Sequence, residues 1–356
     1  MDRLQTGWVA RVSDSESPKD PWTFSRVRDL LTRRMVVKWA FLVFFAWLCL
    51  RLLQFKAWAI GAGPYVPRPE AVAGILPVGH FTSFFAWLRG GGWDTLLPAG
   101  LVIIIAAIVI SLLFKRALCG WICPVGTVWE SAALLGRKLF GRFAPVRVPR
   151  WLDLFGRGFR YMLTAAFVGI LLLLPLSEAL SFRAMPYMWV VDIKIIQGFA
   201  SPTMLILIVV AFGLSIAFGP VWCRYICPVG GFYSLFGIAS VCTVKRDDES
   251  CIDCSRCNRS CHALVDVQHS STVRAPECDG CMDCVRVCPV DGCLEAKAPG
   301  GIAIKPWVWP LLVVGLWLAI YGGAKLTHNW DTGVPLKDFK AAIGSGLLEQ
   351  RITGGL

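Results

Sequence analysis

Histidine is scarce in this sequence, and its few positions limit the cofactors that the chain can bind. The 356 residues include four histidines, His80, His262, His269 and His328. None of them falls in a long apolar run, so the chain does not supply the paired histidines that usually hold a b-type haem inside a membrane. An electron that crosses the bilayer therefore needs another cofactor or a partner subunit.

Charged residues are also few. They make up 17% of the chain, whereas 56% of the residues are hydrophobic and the mean hydropathy is +0.59. A soluble domain of average composition is less apolar. The composition predicts a protein of the lipid bilayer, with five stretches near the ~20 residues that a spanning helix needs. The predicted spans are residues 36–55, 95–114, 161–180, 202–221 and 304–323.

The basic residues behind the net charge of +12 are distributed as a membrane topology predicts, not as a nucleic-acid-binding surface would require. Of the 36 Lys and Arg residues, 26 lie in the N-terminal segment and after the second and fourth spans. Cytoplasmic loops concentrate basic residues. We therefore expect a multi-pass protein of the bacterial cytoplasmic (inner) membrane, with segment 1–35 in the cytoplasm, tail 324–356 outside and no nucleic-acid partner. The polar first 35 residues predict no cleavable signal peptide.

The fifteen cysteines cluster at short spacings on the predicted cytoplasmic side, which is typical of metal binding rather than of disulfides. Two C-x3-C-P motifs, Cys119/Cys123 and Cys223/Cys227, each follow an even-numbered span. They predict an internal repeat of two two-helix units within a membrane domain at 36–244.

Three interpretations of these paired cysteines stay open. The four thiolates hold a further iron–sulfur or metal centre. Alternatively, each pair is a dithiol that cycles with a disulfide or receives copper, because soft sulfur ligands suit Cu(I). In the third interpretation the prolines shape the end of each helix and the cysteines simply pack.

Residues 251–288 carry the strongest pattern, C-x2-C-x2-C-x3-C twice, typical of a bacterial two-cluster ferredoxin. It predicts a small α+β ferredoxin domain at 245–298 with two 4Fe–4S clusters. Zinc knuckles share the C-x2-C spacing, but two matched quartets favour clusters. In this pattern the fourth cysteine of each run binds the other cluster. The predicted ligands are Cys251, Cys254, Cys257 and Cys288 for the first cluster and Cys278, Cys281, Cys284 and Cys261 for the second.

Two histidines fall in this ferredoxin segment. His262 stands where the first cysteine run would normally have its closing proline. We expect His262 and His269 to be surface residues.

The two C-x3-C-P motifs followed by a two-cluster ferredoxin segment resemble the NapH/NosR/CcoG-like family of polyferredoxin membrane proteins. The length, the five-span layout and stretches such as "PRWLD", "CRYICPVG" and "ESCIDCSRC" are similar to its YccM-type electron-transport members. The resemblance covers about residues 36–298 and implies membrane electron transfer, with quinol as donor and a redox protein as acceptor. The fifth span and the outer tail depart from NapH-like members, which typically have four spans.

The sequence thus predicts an all-α polytopic membrane bundle that carries a ferredoxin domain. Its predicted function is electron transport between the quinone pool and a redox partner protein, like that of a quinol dehydrogenase in a respiratory chain. The alternatives are a cupric reductase or metal-handling assembly factor for a respiratory oxidase, and a non-catalytic electron-transfer subunit of a larger complex. Charged groups near a membrane often mark function. The candidates for a quinol site, or otherwise plain loop charges, are His80, Glu178, Arg183 and Asp192.

Overall fold

The computed structural model describes residues 24–75, 77–140, 146 and 148–345, so most of the predicted N-terminal segment and the last residues of the tail lie outside the described part. The helices are α1 (Phe24–Ala59), α2 (Pro77–Leu88), α3 (Pro98–Phe114), α4 (Ala117–Trp121), α5 (Pro124–Phe140), α6 (Arg150–Leu173), α7 (Leu176–Ala184), α8 (Pro186–Gly198), α9 (Pro202–Phe218), α10 (Pro228–Ile238), α11 (Arg256–Ser260), α12 (Asp283–Val287), α13 (Val308–Leu326) and α14 (Leu336–Gly344). The strands are β1 (Thr243–Arg246), β2 (Leu294–Lys297) and β3 (Ala303–Ile304).

Three described helical segments are long and apolar enough to cross a membrane, Arg34–Ala59, Trp151–Leu173 and Val308–Leu326. Helices α8 and α9 pass the same test together, as one span broken by a 67° bend. Helix α3 is apolar but has 17 residues. The described helices therefore support three spans, or four with the broken pair. The five-span layout and its internal repeat stay predictions.

Helix α6 lies earlier in the chain than the third predicted span, 161–180. It ends at Leu173 because Pro175 follows, and the residue before a proline avoids the helical conformation. At its other end the helix includes Arg160, whose side chain is 0% exposed. The predicted span begins one residue after Arg160, whereas the helix begins earlier and the fold buries this arginine inside the protein.

Residues 182–191, between the third and fourth predicted spans, belong almost entirely to helices α7 and α8. Pro186 begins α8, a position that suits proline because its fixed φ is compatible with the first helical turn. Residues 61–70, between the first and second predicted spans, contain no α-helix, in keeping with their glycines and prolines. Helix α2 packs on α3 and α7, and α8 packs on α14. These short helices build a layer at one end of the bundle.

The ferredoxin segment combines a three-stranded antiparallel sheet, in the order β1-β2-β3, with the short helices α11 and α12. Each short helix is preceded by a residue in the left-handed conformation, Ser255 (φ 56°) and Met282 (φ 64°). Each of these residues directly follows the second cysteine of its run. The two runs therefore fold alike, in agreement with the predicted α+β domain.

One hydrophobic core joins the ferredoxin segment to the membrane helices. It contains Phe114 of α3, Trp121 of α4, Val244 of β1 and Trp309 of α13. The indole N–H of Trp121 also donates to the carbonyl oxygen of Gly280 at 3.1 Å. Burial of one large apolar side chain stabilises a fold by roughly 1.5–3 kcal/mol. The ferredoxin segment is thus packed firmly against one end of the bundle.

Candidate functional site

Five cysteines of the ferredoxin segment line one recess. They are the four predicted ligands of the first cluster, Cys251, Cys254, Cys257 and Cys288, and in addition Cys293. The first three belong to the first cysteine run, and the fourth ends the second run. Four thiols from two runs around one recess are a donor set that fits a 4Fe–4S cluster.

The last cysteine of the first run lies with the second run. Burial and, to a smaller extent, the neighbouring Cys278 raise the pKa of the Cys261 thiol to about 12. Cys284 interacts electrostatically with both Cys278 and Cys261, and Cys281 interacts with Cys284. The amide N–H of Val265 donates to Cys261 Sγ at 3.4 Å. The structure brings together the set of four that the spacing predicts, and ligation itself stays a prediction.

The two C-x3-C-P motifs also meet, although they come from distant parts of the chain. Cys119 lies in α4 and Cys223 in a π-helical turn, whereas Cys123 and Cys227 directly precede α5 and α10. Burial and then the nearby Cys227, Cys123 and Cys119 raise the pKa of the Cys223 thiol. Such interactions weaken with distance. These four thiols, the membrane-edge cysteines, therefore form one group.

Both motifs place their second cysteine at a helix N-terminus. The amide N–H of Gly230 donates to Cys227 Sγ at 3.3 Å. In the other motif, burial raises the pKa of Cys123, and the matching hydrogen bond from Gly126 opposes that rise. Free N–H groups and the helix dipole favour negative charge at this end of a helix. The repeated geometry supports thiolates at these positions.

Two buried arginines converge on the membrane-edge cysteines. Arg160 donates from Nη1 to the carbonyl oxygen of Cys223 at 3.2 Å, and Arg116 interacts electrostatically with Cys119 and Cys223. Within the described part of the chain, the Nε atoms of both arginines are buried and have no acceptor. One carboxylate, Glu277, lies 3.8 Å from Arg160 Nη2 and also interacts electrostatically with Arg116. Two buried guanidinium groups that share this carboxylate fit a further anionic group nearby, such as a centre held by four thiolates.

The spacing of the membrane-edge cysteines does not match a single metal ion. A zinc ion bound by four cysteines holds their sulfur atoms ~3.8 Å apart, because Zn–S bonds are near 2.3 Å. Among the described residues, the groups of three or more ligand atoms within 4.8 Å of one another are His262, Asp279 and Cys281, and Glu130, His262 and Asp283. Neither group includes a membrane-edge cysteine. The wider spacing favours a multi-iron cluster.

The membrane-edge cysteines adjoin the second ferredoxin set through backbone contact. A Cβ atom on Gly120 would lie 2.6 Å from the carbonyl oxygen of Asp279. Gly120 directly follows Cys119 of the membrane-edge set, and Asp279 directly follows Cys278 of the second ferredoxin set. Cys284 of the second set in turn interacts electrostatically with Cys257 of the first. The three sets of four cysteines therefore lie in series.

His262 is buried, and the prediction that it lies on the surface is wrong. The residue is 7% exposed, with Nε2 2.7 Å from Oδ2 of Asp279 and Nδ1 3.6 Å from Oε1 of Glu130. The membrane domain covers this face of the ferredoxin segment, which the cysteine spacing could not reveal. His269 agrees with the prediction, since its side chain is 57% exposed.

The sequence reasoning missed an ion-pair network that joins α1 to the ferredoxin segment. Arg34 Nη1 lies 2.7 Å from Glu130 and 2.6 Å from Asp283, and Lys38 also contacts Glu130. All four side chains are buried. The sequence contains one indication of this network, because Glu130 is the only acidic residue in the range 95–152.

Three of the four candidates for a quinol site come together. His80, Arg183 and Asp192 line one small recess. The fourth candidate, Glu178, is exposed on α7 outside that lining.

A family of 4Fe-4S binding domains matches the chain at residues 96–142 and 200–240. Each matched segment contains one C-x3-C-P motif. The match therefore falls on the membrane-edge cysteines rather than on the ferredoxin segment.

Several curated proteins are similar over most of the chain. YccM of Escherichia coli, a candidate electron transport protein, is 36% identical over 78% of this chain and 80% of its own length. The ferredoxin-type protein NapH of Haemophilus influenzae is 30% identical over 57% of this chain and 59% of its own length. MauN of Methylorubrum extorquens, a methylamine utilization ferredoxin-type protein, is 28% identical over 60% and 74%. No solved structure matches the chain significantly.

Proposed function

The chain belongs to the family of ferredoxin-type membrane electron transport proteins that contains YccM and NapH, and we propose that it carries electrons between the quinol pool and a redox partner protein. Iron–sulfur electron transfer is the activity that the family indicates. The quinol link and the partner are the finer part of the proposal. The observation that supports it most is the series of three cysteine sets, because a series of redox centres conducts electrons in single steps.

The two ferredoxin sets each hold one 4Fe–4S cluster in this proposal. The bound clusters accept and donate single electrons, while the protein sets their spacing and environment. The ligands are those predicted from the spacing, Cys251, Cys254, Cys257 and Cys288, and Cys278, Cys281, Cys284 and Cys261.

The membrane-edge cysteines hold a third cluster in the same proposal. Their buried thiols, the amide hydrogen bonds at two helix N-termini and the two unpaired guanidinium nitrogens all support an anionic centre. A dithiol that delivers copper would need a pair of thiols free to exchange a small ion. Four thiols that converge from two motifs fit a resident cofactor better.

The test is the iron and acid-labile sulfide content of protein purified without oxygen, with EPR spectra of the dithionite-reduced state. We expect about twelve irons in the wild type and about eight in a Cys119→Ala/Cys223→Ala variant, as three and two cubane clusters require. Cys49→Ala is the matched control, because Cys49 lies in α1 outside all three sets. About eight irons in both the wild type and the double variant would exclude the third cluster.

A further inference from the structure

One arginine lies between the membrane-edge cysteines and the second ferredoxin set. Arg116 directly precedes α4, and its carbonyl oxygen accepts hydrogen bonds from the amides of Cys119 at 2.9 Å and Gly120 at 3.3 Å. The residue is 6% exposed. Its backbone is therefore fixed to the first C-x3-C-P motif, and its charged side chain is buried.

The two terminal nitrogens of the Arg116 guanidinium group reach different cysteine sets. Nη2 donates to the carbonyl oxygen of Glu277, the residue before Cys278 of the second ferredoxin set. Nη1 lies 3.5 Å from the ideal Cβ position of Gly230, and Sγ of Cys227, a membrane-edge cysteine, lies 3.5 Å from the same point. One guanidinium group therefore adjoins both sets.

The positive charge of Arg116 is only partly balanced by carboxylates. Glu277 and Asp279 interact with it electrostatically. Both carboxylates also pair with another group, since Glu277 lies 3.8 Å from Arg160 Nη2 and Asp279 lies 2.7 Å from His262 Nε2. The shared carboxylates leave positive charge that acts on the cysteine sets on either side.

Electrostatic interactions of Arg116 extend to cysteines of both sets. Its partners are Cys119 and Cys223 at the membrane edge and Cys278 in the ferredoxin segment. Reduction of an iron–sulfur cluster adds one negative charge, so a cation nearby favours the reduced state and raises the reduction potential. Salt in the solvent screens a buried charge much less than an exposed one.

We propose that Arg116 sets the reduction potentials of two centres at once, the membrane-edge cluster and the cluster of the second ferredoxin set. The inference rests on the proposed function, in which each set holds a cluster. One electron that passes between these two sets leaves one neighbour of Arg116 and arrives at another. The same positive charge stabilises the electron before and after the step, so the two potentials stay matched.

Arg137 provides a comparison, because it contacts the second ferredoxin set. This residue of α5 donates from Nη2 to the carbonyl oxygen of Cys261 at 3.2 Å and interacts electrostatically with Cys261 and Cys281. Removal of its charge should therefore lower the potential of the second ferredoxin cluster and leave that of the membrane-edge cluster unchanged.

Redox titration followed by EPR tests the proposal on full-length protein purified without oxygen. Each signal is assigned by its loss in Cys119→Ala/Cys223→Ala or in Cys261→Ala. We expect Arg116→Gln to reduce the equilibrium constant for reduction of both clusters about tenfold or more, which is ~59 mV for one electron. Arg116→Lys keeps the charge and should keep both potentials near those of the wild type. Arg137→Gln should change one potential only.

The outcomes separate this inference from the proposed function. Unchanged potentials in Arg116→Gln, or a fall in only one of the two, would overturn the role of Arg116 and leave the three clusters in place. If Arg116→Gln did not retain its iron, Arg116→Lys would decide, because a fall of either potential with the charge retained would also overturn it. A wild type with about eight irons, those of two clusters, would remove both the membrane-edge cluster and this inference.

Discussion

Gly120 and Asp279 lie in direct backbone contact, with 2.6 Å between an ideal Cβ position on Gly120 and the carbonyl oxygen of Asp279. Gly120 belongs to α4 of the membrane domain and Asp279 to the ferredoxin segment. Because a side chain cannot enter this contact without moving the backbone, the distance between the two adjoining cysteine sets depends on one glycine.

Replacement of Gly120 by alanine should therefore push the ferredoxin segment away from α4. Extra volume in a packed interior typically costs ~1–3 kcal/mol. We expect Gly120→Ala to lower the thermal unfolding temperature and to weaken magnetic coupling between clusters in the EPR spectrum. Gly158→Ala in α6 is the comparison, since its Cβ would meet nothing within 4 Å. Equal unfolding temperatures for the two variants would contradict the argument.

The buried Arg34 network predicts a larger loss of stability. Removal of one partner from a buried ion pair typically costs ~3–5 kcal/mol, because the remaining charges stay buried without compensation. Arg34→Gln removes the cation that bridges Glu130 and Asp283, although Glu130 keeps its contact with Lys38. We expect limited proteolysis to release the ferredoxin segment more readily.

The exposed pair of Lys325 and Asp331, whose side chains are 40% and 60% exposed, provides a reference for this experiment. Pairs of this kind contribute ~0–1 kcal/mol, so Lys325→Gln should leave proteolysis unchanged. If Arg34→Gln were as resistant as Lys325→Gln, the network would not hold the two parts together.

The crossed assignment of the ferredoxin ligands predicts which cluster each cysteine variant loses. Cys261→Ala removes a thiol that lies with Cys278 and Cys284, although it belongs to the first run. We expect the variant to lose about four irons, those of the cluster of the second run, and to keep the signal of the other. Cys242→Ala, which changes a buried cysteine outside the sets, should keep all its iron. Loss of the first-run signal in Cys261→Ala would refute the crossing.

The cysteine motifs could be recognised from the sequence, because each run and each C-x3-C-P motif is built from residues a few positions apart. The meeting of Cys119 with Cys223 was one of three open interpretations, since it depends on how distant helices pack. The burial of His262 was not predictable from its neighbours. It results from Glu130 on α5, more than a hundred residues earlier in the chain.

The recess lined by His80, Arg183 and Asp192 was predictable in part. These residues stood out as ionisable residues near the predicted membrane, and the fold places all three in the lining of one recess. Asp94 and Ser83 gave no such signal, because their roles depend on a hydrogen bond between the two side chains. Helix α6 covers only part of the third predicted span, 161–180, because the helix ends before Pro175.

Gly100 offers a way to move His80 without changing it. A Cβ atom at position 100 would lie 1.9 Å from Nδ1 of His80, so Gly100→Ala must displace the ring. Extra volume in a packed interior typically costs ~1–3 kcal/mol. We expect Gly100→Ala to lower the thermal unfolding temperature, with an unchanged dithionite-reduced EPR spectrum.

Gly74→Ala is the matched substitution for that test, because the nearest atom to its Cβ would be Ile103 Cδ1 at 3.8 Å, an ordinary contact. It should retain the wild-type unfolding temperature. A Gly100→Ala protein as stable as Gly74→Ala would contradict the close packing of the His80 ring on Gly100. His80→Ala should restore part of the stability that Gly100→Ala loses, since the effects of residues in contact do not add.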